Sequence, residues 1–172
     1  MKGMVDDMSK SIKTVFCALL LILFFNQVTY AKTEKVEPSK PSEGIESLVE
    51  NSGSSDVVET ESRTSIQSAL LTDWSCKISN NQNMSLYLSG KQNANNFMDE
   101  MRLTLYLQRW DGQKWVDISS WTFYDYNTTS LAEDASSSFQ SGNYYRTRAV
   151  HYAKYGSQTD TTQSTSSYIY VP

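Results

Sequence analysis

The sequence predicts an all-β domain, an antiparallel two-sheet immunoglobulin-like sandwich of about seven strands. Three observations carry this reading. Apolar and polar residues alternate with a period of two through much of the last hundred residues, clusters of Asn, Ser, Gly and Asp break that alternation at short intervals, and a helical period is nearly absent. The material for a core sits in the same region, since all four tryptophans and ten of the eleven tyrosines lie beyond Arg63.

The strands can be taken in order. Trp74, Cys76 and Ile78 alternate with Ser75 and Lys77, a turn falls at residues 80–83, and Met84, Leu86 and Leu88 alternate with Ser85 and Tyr87, which makes an early strand pair. Residues 101–110 give the clearest strand, with Met101, Leu103, Leu105 and Leu107 on one face and Arg102, Thr104, Tyr106 and Gln108 on the other. Asp111-Gly112 then forms a turn, and residues 114–122 resume a β pattern through Val116 and Ile118, so the two segments form a hairpin flanked by Trp110 and Trp115. Residues 136–139 are a weaker strand, residues 144–152 a stronger one, and residues 167–171 close the domain. In the 144–152 strand, Tyr145, Thr147 and Ala149 are placed inward and Arg146, Arg148 and Val150 outward, because burying unpaired arginines is costly. A Gly shortly before a tyrosine at the start of this late strand fits a tyrosine corner, in which the phenol bonds back to the preceding connection. A barrel is the alternative closure of the same strands.

Ahead of the domain the chain divides twice. An apolar run over residues 14–28, preceded by Lys10 and Lys13 and ending at Thr29-Tyr30-Ala31, predicts a signal peptide over residues 1–31 with mature protein from Lys32. The run is shorter than the ~20 residues a bilayer span requires, so no membrane segment is expected after cleavage. Cys17 sits near the front of the apolar run, which does not suit lipid attachment. Cleavage leaves Cys76 alone, so the domain is expected to hold together without a disulfide. Residues 32–62 carry three lysines against eight acids among Ser, Pro and Gly, with no aromatic residue, and predict an acidic, disordered linker. The domain is assigned to residues 63–172.

Charge and composition exclude several functions. Residues 63–172 hold nine basic and nine acidic side chains, without the positive footprint of a nucleic-acid binder. His151 is the single histidine, so a multi-histidine zinc site is impossible, and no cofactor or metal is expected. Cys76 shares a face with Trp74 and Ile78, which suits a packed thiol better than a reactive thiolate. Asp99, Glu100, Asp111, Asp117, Asp125, Glu133 and Asp134 follow no calcium-loop spacing and read as loop carboxylates. No catalytic residue is assigned.

Two stretches resemble a known family. Residues 105–118, Leu-Tyr-Leu-Gln-Arg-Trp-Asp-Gly-Gln-Lys-Trp-Val-Asp-Ile, and residues 142–151, Gly-Asn-Tyr-Tyr-Arg-Thr-Arg-Ala-Val-His, resemble an uncharacterised exported domain family of Gram-positive bacteria. The likeness covers most of residues 74–171 and implies export but no activity. The strand order also looks like that of an immunoglobulin or fibronectin type III sandwich, which bears on fold and not on function.

The aromatic excess is what remains for function. Trp110, Trp115, Trp121, Tyr124 and Tyr126, with Arg146 and Arg148, are the candidate binding residues, suited to stacking on sugar rings or to a protein contact. The expectation is a secreted or cell-surface, non-enzymatic binding or structural module whose partner is cell-wall glycan, another carbohydrate or an exported protein. A small secreted hydrolase or enzyme inhibitor is the alternative.

Overall fold

The structure, a computed structural model, describes residues 38–55 and 69–172. The expected signal peptide lies outside the described residues. Nine strands are present among the described residues: β1 (Ser52–Ser54), β2 (Leu71–Asn80), β3 (Ser85–Met98), β4 (Glu100–Trp110), β5 (Trp115–Asp125), β6 (Thr128–Ser138), β7 (Asn143–Tyr155), β8 (Gln158–Thr165) and β9 (Ile169–Val171). One sheet runs β1-β2-β3-β6, the other β5-β4-β7-β8 with β9 also paired to β7, and every pairing is antiparallel. The two sheets pack face to face as a sandwich.

Alternation decides which side chains meet between the sheets. Met101, Leu103, Leu105 and Leu107 of β4 are fully buried, together with Tyr145 and Ala149 of the neighbouring β7, opposite Leu86 and Leu88 of β3 and Ile78 and Cys76 of β2. Each large aliphatic side chain so buried contributes about 1.5–3 kcal/mol. The central contact lies between β3 and β4, where Gly90 leaves the room that two leucines fill. A Cβ at that position would stand 2.8 Å from Leu105 Cδ2 and 3.1 Å from both δ carbons of Leu103.

Connections follow the turn chemistry of the sequence. Between β4 and β5, Gly112 takes φ 102° and the Asp111 carboxylate accepts hydrogen bonds from the Gln113 and Lys114 amides at 2.8 Å. These bonds hold the Asp111 carboxyl below the usual carboxylate range. Only Asp99 separates β3 from β4, so the chain crosses between sheets at a sharp corner. Asp99 pins that corner to the β7–β8 turn: its amide donates to Lys154 O at 2.8 Å, and its carboxylate accepts from the Gly156 amide at 2.6 Å. The tyrosine corner is present as well, with Tyr145 Oη donating to Gln140 O and accepting from the Gln140 amide, both at 2.9 Å.

Three elements differ from the sequence reading. The strand count exceeds seven because β8 and β1 lacked a signal. In β8, Gln, Thr, Ser and Asp leave only Thr162 buried, so an edge strand is formed with almost no apolar alternation. Strand β1 lies inside the stretch expected to be a disordered linker, and residues 38–55 pack on the sandwich. Here backbone pairing replaces apolar burial: Gly53 pairs with Ile78, the Ser54 amide donates to Ser167 Oγ at 3.1 Å, and Ser55 Oγ accepts from the Cys76 amide at 3.0 Å. In β5 a register shift beside Leu107 and Gln108 makes Ile118 the extra residue, and it is exposed rather than continuing the Val116 alternation.

Gly90→Val should destabilise the domain by about 1–3 kcal/mol through overpacking against Leu103 and Leu105. Urea unfolding would register this as a lower midpoint with an unchanged slope.

Candidate functional site

The outer face of the five-stranded sheet carries most of the candidate residues, and alternation puts them there. From β4 it receives Arg102, Thr104, Tyr106, Gln108 and Trp110, and from β7 it receives Tyr144, Arg146, Arg148, Val150 and Tyr152. Cross-strand register then stacks cations on rings. The Arg102 guanidinium lies 4.3 Å from the Tyr152 ring centre and 5.9 Å from that of Tyr124, Arg148 lies 3.9 Å from Tyr106, and Arg146 lies 4.3 Å from Trp115. Such pairs are worth about 0.5–2 kcal/mol depending on desolvation.

A polar chain connects two of these stacks. Arg146 Nε donates to Gln108 Oε1 at 2.7 Å, Gln108 Nε2 donates to Asp117 Oδ1 at 2.7 Å, and Arg148 Nη2 reaches Asp117 Oδ2 at 2.8 Å. Both arginines are therefore outward, as the sequence indicated, and both are already engaged. Desolvation holds the Arg146 guanidinium down to about 10, with Glu43 opposing the shift, so it remains charged at neutral pH.

The two ends of this face differ. At the β4–β5 hairpin end, Trp110 is buried and stands edge-on to Trp115, 5.5 Å between ring centres, while Trp115 leans on Tyr168 at 5.7 Å. Residues 38–47 lie over this cluster, and Trp115 Nε1 donates to Glu43 O at 2.9 Å. At the other end the rings are open. Phe97 is 64% exposed, Tyr126 62%, Tyr124 52% and Tyr155 49%. Register places them together, because Met101 pairs with Asp125, Glu100 with Lys154 and Met98 with Thr128, which gathers the β3–β4, β5–β6 and β7–β8 connections at one end.

The seven candidate residues therefore separate into groups. Trp110, Trp115 and Arg146 form the covered cluster, Tyr124 and Tyr126 belong to the open end, and Arg148 lies between them over Tyr106. Trp121 pairs with Leu105 and packs, partly buried, against the core from the edge strand. Sequence reasoning passed over Phe97 and Arg102. The signal for Phe97 was its place next to Met98, whose burial turns its neighbour outward.

The outer face of the other sheet holds a shallow trough of about 320 Å³ over Ser89, bordered by Lys77, Lys91, Tyr87 and Asp134. Burial first, and then a hydrogen bond to Asp134, raises the Tyr87 phenol above its usual value.

His151 and Cys76 sit between the sheets. Cys76 is buried with its thiol 3.5 Å from Thr147 O. His151 of β7 has Nδ1 3.1 Å from Gln92 Oε1 on the opposite sheet and Nε2 2.8 Å from Ser164 Oγ, while Gln92 Nε2 donates to Tyr152 O at 3.1 Å. Among the described residues, no three His, Cys, Asp or Glu side chains gather as a metal site. Compared with family models, curated proteins and solved structures, the chain matches none.

Burial holds the His151 imidazole down to about 4, against an ordinary value near 6.5, with Asp73 opposing weakly. The folded-state value is depressed, so between about 6.5 and 4 the unfolded chain takes up a proton that the folded one refuses. Stability should therefore fall as pH drops through that window, by up to about 1.4 kcal/mol per unit and about 3 kcal/mol in all. Chemical denaturation across the window should show a smaller slope for His151→Gln than for the unaltered chain.

Proposed function

We propose that this chain is an exported, non-enzymatic binding module that holds a glycan at the open end of the sandwich. The observation that carries the proposal is the set of exposed rings Phe97, Tyr124, Tyr126 and Tyr155, interleaved with Asn95, Asn96, Asp125 and Asn127. Rings offer apolar faces for the C–H surface of a sugar, and the amides and carboxylate beside them offer hydrogen bonds to its hydroxyls. Arg102, stacked on Tyr152 and close to Tyr124, fixes one flank of the platform. The apolar leader with its lysines and the small residue at Ala31, together with the resemblance to exported Gram-positive domains, support a location outside the cell, where cell-wall glycan is the available polymer. An exported protein is the second class of ligand for the same surface. No constellation among the described residues favours the hydrolase reading.

Titration of the secreted chain with soluble cell-wall and other polysaccharides should show saturable binding at this end. Tyr124→Ala and Tyr126→Ala should each weaken it by about fivefold to tenfold, the worth of one stacking contact. Met84→Ala, at an exposed turn outside the platform, should leave it unchanged. Retention of no glycan, or equal binding by the tyrosine variants, would overturn the sugar reading. The intact mass of the secreted protein should correspond to a chain beginning at Lys32.

A further inference from the structure

The covered end of the five-stranded sheet is a groove with an occupant. Trp110, Trp115, Tyr144, Arg146, Tyr168 and Tyr170 form its aromatic and cationic surface, with Tyr144 edge-on to Tyr168 at 5.8 Å and tilted against Tyr170 at 4.9 Å. Residues 38–47 cross it. Ser39 Oγ donates to Gly112 O at 3.3 Å, and Trp115 Nε1 donates to Glu43 O. The Tyr168 amide donates to Ile45 O at 2.8 Å, and the Ser47 amide donates to Tyr168 O at 2.9 Å, in a parallel bridge.

The manner of this docking defines what the groove recognises. Pro41 is buried, whereas every residue from Ser42 to Glu46 is exposed, so the strap is held by one proline ring, the Ser39 hydroxyl and a run of main-chain amides and carbonyls. The strap's side chains contribute little, and the Lys40–Glu46 ion pair is a surface pair of small worth. Trp-lined surfaces that take a proline and donate an indole N–H to a peptide carbonyl suit extended, proline-bearing segments, whose stiffness lowers the ordering cost of binding. The fit of the strap is also incomplete. Trp110 Nε1 is buried with no hydrogen-bond partner among the described residues, although it neighbours the Trp115 indole that does find a carbonyl. A buried unsatisfied donor costs about 1–3 kcal/mol, and a ligand that supplied an acceptor there would recover it.

We infer that this groove is a peptide-recognition site for an extended, proline-bearing segment of a partner protein, with residues 38–47 as its resident competitor in cis. The strap carries Pro38 and Pro41, the chemistry that the partner segment shares. Tethering gives the strap an effective concentration of about millimolar, so a partner binds measurably only where its own fit is better or the strap is released. This site is separate from the open aromatic end, and the inference stands without the glycan reading.

Gly44 provides the release. It adopts φ 92°, and a Cβ there would meet Arg146 Nη1 at 3.1 Å, so a β-branched residue both strains the backbone and displaces the strap. The experiment uses the full chain, unaltered and as Gly44→Val, with a labelled decapeptide of the 38–47 sequence as probe. The Trp115 indole N–H resonance reports groove occupancy, and core amide resonances report an intact fold. In Gly44→Val the indole resonance should shift towards its undocked position, and added peptide should return it with an affinity at least tenfold tighter than the unaltered chain shows. Trp115→Phe in the Gly44→Val background keeps a ring and removes the donor, and it should weaken the peptide at least fivefold. A peptide with both prolines replaced by serine should bind at least fivefold more weakly. The inference is overturned if folded Gly44→Val binds the peptide no better than the unaltered chain does, if its indole resonance never moves, or if the serine peptide binds equally. Concentration-dependent dimerisation of Gly44→Val without peptide would assign the groove to a second copy instead and overturn the partner-protein reading.

Discussion

The close approach of β3 to β4 is the constraint on which the sandwich rests. Strand β3 is central in one sheet and β4 lies inside the other, and where they face, Gly90 offers no side chain to the Leu103 and Leu105 δ carbons that occupy the space. Packing at that density transmits any change in volume to both sheets. One polar link crosses the same interior: Gln92 of β3 meets His151 of β7, and Ser164 and the Tyr152 carbonyl satisfy what remains. A buried network that is fully satisfied favours one register over its neighbours, because a slip would leave its donors and acceptors unpaired. The depressed basicity of His151 follows from the same burial, so the contact that specifies the fold also sets its acid sensitivity.

The outer face of the five-stranded sheet shows how a β-sandwich can order a charged surface. Each arginine on β4 or β7 that the alternation turns outward finds a ring on a neighbouring strand: Arg102 on Tyr152, Arg148 on Tyr106, Arg146 on Trp115. Stacking covers the rings and leaves the guanidinium edges free for Gln108, Asp117 and Gln163. These rings are committed to the fold. Phe97, Tyr126, Tyr124 and Tyr155 retain large exposed areas because they sit where strands end and cross-strand neighbours run out.

The strap illustrates a different economy of interaction. Residues 38–55 touch both sheets, the five-stranded one through Tyr168 and the four-stranded one through β1. They do so mainly with main-chain hydrogen bonds, the Ser39 and Ser55 hydroxyls and a buried Pro41, leaving their acidic side chains exposed. Backbone pairing of this kind is available to almost any sequence that presents free amides and carbonyls, which is why an acidic, Ser-rich segment can be ordered against an aromatic surface.

The sequence by itself determined the elements whose formation depends on side chains. The two-residue period of β4 fixed which leucines face inward, Asp111-Gly112 fixed the hairpin, and the cost of burying arginines placed Arg146 and Arg148 outside. A Gly shortly before a tyrosine likewise pointed to a tyrosine corner, and the structure assigns it to Tyr145 rather than Tyr144. What the tertiary structure alone decided depends on partners distant along the chain. Strand β8, with one buried Thr162, exists because β7 offers it a ladder, and β1 exists because β2 does. No apolar pattern accompanies backbone pairing, so neither strand was legible beforehand. The candidate site divided for the same reason. Composition counted Trp110, Trp115, Trp121, Tyr124 and Tyr126 as one aromatic excess, whereas burial under residues 38–47, packing against Leu105 or exposure at a strand end separated them, and those outcomes depend on register between strands rather than on the residues themselves.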